Sequence, residues 1–207
     1  MKRAAAAARP RRIGVLGGSF DPPHVGHLAL AEWARVQLGL ARVLFVPAFD
    51  PPHKSRASLT EAKHRLAMTR QAVRGNPAFE VRDLEVRRKG TSYTIDTLRE
   101  LTAEFGRTPL VLLMGADMFA TFGSWHEPEA ILARAQLAVL LRPGSKRPRA
   151  GRWRHTGRGV TFLDNPGLEV SSTTLRARAR AGLSMRYLVP DAVERHLEMH
   201  ALYRRPA

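Results

Sequence analysis

Gly17-Gly18-Ser19-Phe20-Asp21-Pro22-Pro23-His24-Val25-Gly26-His27-Leu28 is the stretch from which the fold can be read. The apolar run Ile13 to Leu16 before it has the composition of a buried strand. The apolar spacing from Leu28 to Leu38 after it is that of a helix. A strand, a tight glycine turn and a helix aim backbone N–H groups and a helix N-terminus at an anion. Gly17 and Gly18 can take positive φ and let a ligand approach the main chain. Pro22 and Pro23 stiffen the entry to the helix. His24 and His27 stand three residues apart where that helix begins. Both imidazoles can therefore face one side of its first turn and offer N–H donors to phosphate oxygens.

Several other readings fail on the residues present. There is no Gly-Lys-Ser/Thr for a P-loop and no G-x-G-x-x-G for a dinucleotide fold. A metal at His24 and His27 would lack a nearby third ligand, and the chain has no cysteine, so no protein metal site is expected here. A glycine turn capped by incidental polar groups is the plain alternative. Two glycines, two histidines and Asp-Pro-Pro in one turn exceed what capping requires.

The string Gly-Gly-Ser-Phe-Asp-Pro-x-His-x-Gly-His resembles the signature of the nucleotidyltransferase superfamily with the H-x-G-H motif. More narrowly, it resembles the bacterial nicotinate-nucleotide adenylyltransferases. A second string, Val170-Ser171-Ser172-Thr173-Thr174-Leu175-Arg176, reads alone as a capped helix start with a solvated arginine. Beside the glycine turn it becomes a second clamp on a polyphosphate. The resemblance agrees, since that family carries Ser-Ser-Thr-x-x-Arg on the ATP phosphates. It implies ATP binding by Gly17, Gly18, Ser19, Phe20, His24, His27, Asp117, Ser171, Ser172, Thr173 and Arg176, with His24, His27 and Arg176 catalytic. It implies a nicotinate mononucleotide site at Lys54, Thr91, Tyr93, Thr94 and Trp125. Without the resemblance, Lys54 is a surface lysine, residues 91–94 are a capped loop, and Trp125 is a core residue. Many relatives carry Asn where Met118 stands, a departure beside Asp117. Phosphopantetheine adenylyltransferases usually have Thr at the position of His24. Cytidylyltransferases end in a Thr-Glu-Gly-Ile-Ser-Thr-Thr type motif that is absent here.

Composition bounds the alternatives. With 34 basic and 18 acidic residues in 207, the net charge is +16, which attracts nucleotides, nucleic acid or acidic surfaces alike. A basic, non-catalytic nucleic-acid-binding protein is thus one rival reading, although no nucleic-acid motif is present and a nucleic-acid partner is not expected. A related adenylyl- or cytidylyltransferase acting on another phosphorylated substrate is the other. The absence of cysteine excludes disulfides and fits a cytoplasmic location, and no apolar run reaches membrane length.

In chain order, residues 1–12 read as a flexible basic tail and 13–207 as one nucleotidyltransferase domain. Strands are expected at 42–47, 79–86, 110–114, 137–141 and 160–163. Helices are expected at 59–73 (capped by Thr60 or Ser58), 94–105 (capped by Thr94), 119–125, 128–133, from 170 onward, and 189–202. The basic loop 143–158, which contains Trp153, reads as solvated. Strand alternating with helix at this spacing gives an α/β, Rossmann-like, three-layer fold with a parallel sheet and a C-terminal helical segment. The reaction the resemblance implies is transfer of AMP from ATP to nicotinic acid mononucleotide, a step of pyridine nucleotide (NAD) biosynthesis, with Mg²⁺ as cofactor carried by the ATP phosphates.

Overall fold

The structure is a computed structural model that describes residues 12–52, 59–141, 148–165 and 167–203. Six strands form one sheet in the order β3-β2-β1-β4-β5-β6, and every neighbouring pair is parallel. They are β1 (Arg12–Gly18), β2 (Leu40–Pro47), β3 (Phe79–Val81), β4 (Leu110–Gly115), β5 (Ala135–Leu141) and β6 (Val160–Asp164). Parallel neighbours need crossover connections, and the first six of the eight helices among the described residues lie between strands. The eight are α1 (Val25–Leu38), α2 (Ala62–Val73), α3 (Leu84–Arg88), α4 (Thr94–Phe105), α5 (Ala116–Ala120), α6 (Pro128–Arg134), α7 (Ser172–Arg180) and α8 (Asp191–Met199).

The period-2 geometry of the strands divides the core into two layers. Leu110, Leu112 and Met114 of β4 face one way, packing with Ile95, Leu98 and Leu101 of α4 and Ile131 and Leu132 of α6. Val111 and Leu113 face the other way, with Ala31 and Ala34 of α1. A third cluster joins Met68 and Ala72 of α2 to Leu175 of α7 and to Val193 and Leu197 of α8. Among the described residues no helix is long and apolar enough to cross a membrane.

Several details differ from the sequence expectations, and the helix expected at 119–125 is divided into α5 and a 3₁₀ turn at Phe122–Ser124. The strand expected at 79–86 stops at Val81, and Leu84 and Glu85 turn inward as the start of α3. Apolar alternation had already broken there, because Val81 and Leu84 lie three apart. Helix α2 begins at Ala62 with Glu61 as its cap, because the Thr60 N–H is taken by Asp21 and the Thr60 carbonyl by Arg65. Helix α4 is capped by Tyr93, one residue before the expected Thr94. Within the basic segment, Gly151–His155 is a 3₁₀ turn that buries Trp153 edge-on to Phe122 at 5.2 Å, so that part belongs to the core. Residues 1–11 and 142–147 lie outside the described residues.

Candidate active site

The strand order reverses between β1 and β4, and open α/β sheets place ligands at the carboxyl ends of such strands. Both ends carry predicted site residues, Gly17 to Phe20 at the end of β1 and Asp117 after β4. Gly17 and Gly18 do not take positive φ. They extend β1, and the left-handed residue is Phe20, at φ 47°. The inversion falls there because the Phe20 ring is buried between Phe45 and His27. A Cβ on Gly18 would meet that ring at 3.1 Å, whereas one on Gly17 would meet nothing within 4 Å. Gly17 therefore leaves an exposed, open stretch of main chain.

His24 is the N-cap residue of α1, and His27 lies on its first turn. The rings lie against one another with centroids 3.7 Å apart and planes tilted by 34°. The His24 N–H donates to His27 Nδ1 at 3.2 Å, which places the His27 proton on Nε2. His24 is buried, and its Nδ1 has no hydrogen-bond partner among the described residues. Burial pushes its pKa down from the ordinary 6.5 to about 4, so it is a neutral donor at pH 7.

This shift couples the site to stability. Between pH 6.5 and 4 the unfolded chain binds the proton that folded His24 refuses, so stability is retained above pH 6.5 and lost as pH falls toward 4. The full loss is at most about 3 kcal/mol. Unfolding of wild type and His24→Gln across pH 4–7 should show a shallower pH slope in the variant. Parallel slopes would remove His24 as the cause.

Gly26 fits the same argument. A Cβ there would approach His24 Nδ1 to 3.0 Å and Cε1 to 3.1 Å. Gly26→Ala is expected to raise helix propensity by up to about 1 kcal/mol while displacing the imidazole. It should lower kcat roughly tenfold without loss of Tm, since misplacement of about 1 Å costs on the order of 100-fold. A variant with unchanged kcat would show that His24 tolerates the shift.

The two motifs, 150 residues apart, meet. Ser171 caps α7 by accepting from the Thr174 N–H at 3.1 Å, and Ser172 Oγ donates to the Pro22 carbonyl at 2.9 Å. Arg176 Nη1 donates to the Asp21 carbonyl at 2.8 Å, and Nη2 donates to Thr173 Oγ1 at 3.3 Å. The first N–H groups of α7 thus abut the glycine turn, and the arginine lies across both.

Sequence reasoning missed the groups that hold the turn. Asp21 is fully buried; its carboxylate accepts from Tyr203 Oη at 2.6 Å and from the Thr60 N–H at 3.3 Å, with Arg176 3.9 Å away. Burial, reinforced by Asp21, raises the Tyr203 pKa and keeps its phenol protonated as a donor. Arg65, 1% exposed, donates to the carbonyls of Ser19, Ala48, Phe49 and Thr60. Only the residue types, not their partners, were visible in sequence.

On the other side of the cleft, Ser92 Oγ accepts from the N–H groups of Phe49 and Asp50 at 2.9 and 3.3 Å, and the Ser92 N–H donates to the Asp50 carbonyl. This zips the loop after β2 to the segment carrying Thr91, Tyr93 and Thr94. The Tyr93 ring packs at a tilt against His126, with centroids 4.4 Å apart, which brings that segment beside Trp125. Trp125 is half-buried against Phe122, and its Nε1 donor has no hydrogen-bond partner among the described residues. Asp117 and Met118 are exposed at the start of α5. Lys54 lies outside the described residues.

The chain belongs to the cytidylyltransferase-like family, whose model matches residues 15–178, within the branch of the nicotinate-nucleotide adenylyltransferases. It is 45% identical over 192 residues to a Salinibacter ruber protein named "Probable nicotinate-nucleotide adenylyltransferase", covering 93% of this chain and 97% of that one. An Exiguobacterium sibiricum protein of the same name is 43% identical, with coverage of 93% and 98%. The fold matches a Plasmodium falciparum nicotinic acid mononucleotide adenylyltransferase complexed with NaAD, with a TM-score of 0.77 at 18% identity over 93% of this chain and 97% of that one.

Proposed function

We infer that the protein transfers AMP from ATP to nicotinic acid mononucleotide, giving deamido-NAD and pyrophosphate. The observation that carries this reading is the junction of the two clamps, with Ser172 and Arg176 bonded to the carbonyls of Pro22 and Asp21 beside the paired His24 and His27. The names of the relatives support the choice of pyridine substrate.

An oxygen of the mononucleotide 5′-phosphate would attack the α-phosphorus of ATP. The bond from α-phosphorus to the bridging oxygen would break, and pyrophosphate would leave with the electron pair. A phosphate is already an anionic nucleophile, so catalysis reduces to positioning and charge stabilisation. His27 Nε2–H and neutral His24 would donate to the α-phosphate as its charge grows. Arg176 and the first N–H groups of α7 would hold the leaving pyrophosphate. Open backbone at Gly17, with Gly18, Ser19 and Phe20 shaping the turn, would let the nucleotide lie against β1, and Asp117 would face it from the start of α5.

No group of three His, Asp or Glu gathers at this cleft among the described residues, and the Asp21 carboxylate is occupied within the protein. That donor set fits Mg²⁺ held by ATP phosphates and water rather than by a protein cage. When bound, Mg²⁺ would neutralise phosphate charge. These substrates, and a chain without cysteine, support a cytoplasmic place for the protein.

Thr91, Tyr93 and Thr94 would receive the pyridine carboxylate at the start of α4, with Lys54 near the mononucleotide. A carboxamide turns its own NH₂ toward such donors, leaving one unpaired at about 1–3 kcal/mol. The acid should therefore be favoured over the amide by roughly 10- to 100-fold. Trp125→Ala should raise KM for both mononucleotides about tenfold through lost stacking. It should also leave most of the acid-to-amide ratio, because that ratio comes from the donors at residues 91–94 and not from the stacking indole. Following pyrophosphate release with ATP plus nicotinate mononucleotide, nicotinamide mononucleotide or phosphopantetheine tests both claims. Equal efficiency on the two pyridines would overturn the selectivity. Salt-dependent nucleic-acid binding with no turnover on any substrate would overturn the enzyme.

A further inference from the structure

His64 on α2, with His196 and His200 at the end of α8, forms a cluster outside the nucleotide cleft. We propose that these three histidines bind a zinc-type divalent transition-metal ion that ties α2 to α8. One ligand atom from each residue lies within 4.8 Å of the others. His64 Nδ1 and His196 Nε2 are 3.2 Å apart. Two nitrogens at 2.0–2.1 Å from a tetrahedral zinc stand about 3.3 Å apart, so this pair already spans one edge of such a site. His196 and His200 are spaced i, i+4, the spacing by which one helix presents two imidazoles to a metal. Their ring centroids are 4.4 Å apart, and those of His64 and His200 are 4.7 Å apart.

The surroundings suit a cation of this kind. The His64 and His196 pKa values are held below the ordinary value, first by burial and then by His200, which keeps their lone pairs available at neutral pH. Metal-bound histidine usually donates its second ring N–H to an acceptor. Gln71 lies 3.4 Å from His196 Nδ1 through its Nε2, while its buried Oε1 has no partner among the described residues. A half-turn of that amide puts Oε1 where a metal-bound His196 needs an acceptor. His200 is exposed, so water can complete a fourth position. Imidazoles without carboxylates select Zn²⁺-like ions over Mg²⁺. The ion would brace the two helices behind the glycine turn: His64 precedes Arg65, and Tyr203 follows α8.

The full-length protein, stripped with EDTA and dialysed, would be titrated with Zn²⁺ and with Co²⁺. The expected result is one ion per chain, a Co²⁺ visible spectrum of four-coordinate intensity, and a Tm raised by about 5–10 °C at Zn²⁺ near 100 times Kd. Mg²⁺ should do none of this. His200→Ala, at an exposed position, should weaken binding on the order of 100-fold, at least as much as losing an outer-shell partner does. His64→Asn should do the same. His27→Ala should bind as wild type does, which separates this cluster from the His24–His27 pair. Wild-type affinity in His200→Ala, or loss of binding in His27→Ala, would overturn the site.

Discussion

Exchange of His27 for alanine is expected to lower turnover on the order of 100-fold or more, the usual cost of removing one donor aimed at developing charge. The effect on ATP binding should be much smaller. Its Nδ1 accepts from the His24 backbone at 3.2 Å, so the Nε2 proton is committed to the cleft side of the ring. In the ground state that proton is one of many donors around a polyphosphate. As the 5′-phosphate closes on the α-phosphorus, charge gathers on the oxygens the two histidines would face, and the donor gains its full worth. His27→Ala also frees the His24 N–H, but at a helix start water can satisfy it, so the fold should survive. Steady-state kinetics for both substrates, with Tm as a control, decide the matter. A His27→Ala protein with near-wild-type kcat would mean that the histidine pair serves α1 rather than the reaction.

How much of this site could be read from sequence depends on how far apart its parts lie along the chain. The glycine turn, both histidines and the cap of α7 are contiguous strings, and each was readable because its function is local. Their meeting is not local: the bond from Ser172 to Pro22 spans 150 residues, and that from Tyr203 to Asp21 spans 182. Nothing in the sequence around Tyr203 or Arg65 points to the buried partners they meet at the turn. Gly17 and Gly18 can take positive φ, but the inversion falls two residues beyond Gly18, on Phe20, whose ring is buried and whose residue type ordinarily avoids it. The His196–His200 spacing was visible, but the third histidine comes from a helix more than 130 residues earlier.

Arg65→Met is expected to have the largest effect on stability, about 3 kcal/mol or more. The guanidinium is almost wholly buried and faces four carbonyls: Thr60 at 2.8 Å, Ser19 at 2.9 Å, Ala48 at 2.5 Å and Phe49 at 2.9 Å. Burial pulls its pKa down, so keeping a cation there costs free energy, although Asp21 offsets part of that cost. Methionine removes this burden and fills similar space, which argues for a mild effect. Against it, four carbonyls lose the arginine at once, the Ala48 one in a buried bond, and a buried carbonyl left without a donor costs about 1–3 kcal/mol. Even if water rescues half of them, the loss exceeds the relief. At about 2–4 °C per kcal/mol for a chain of this size, Tm should fall by roughly 6–12 °C. Arg65→Lys should recover only part of this, because an ammonium cannot reach all four carbonyls from one position. The carbonyls belong to the glycine turn and to the loop that Ser92 ties to the pyridine side. KM for both substrates should therefore rise in Arg65→Met at temperatures where the protein is still folded. Calorimetry and kinetics at 15 °C test the two halves separately, and an unchanged Tm would show that these loops hold without the arginine.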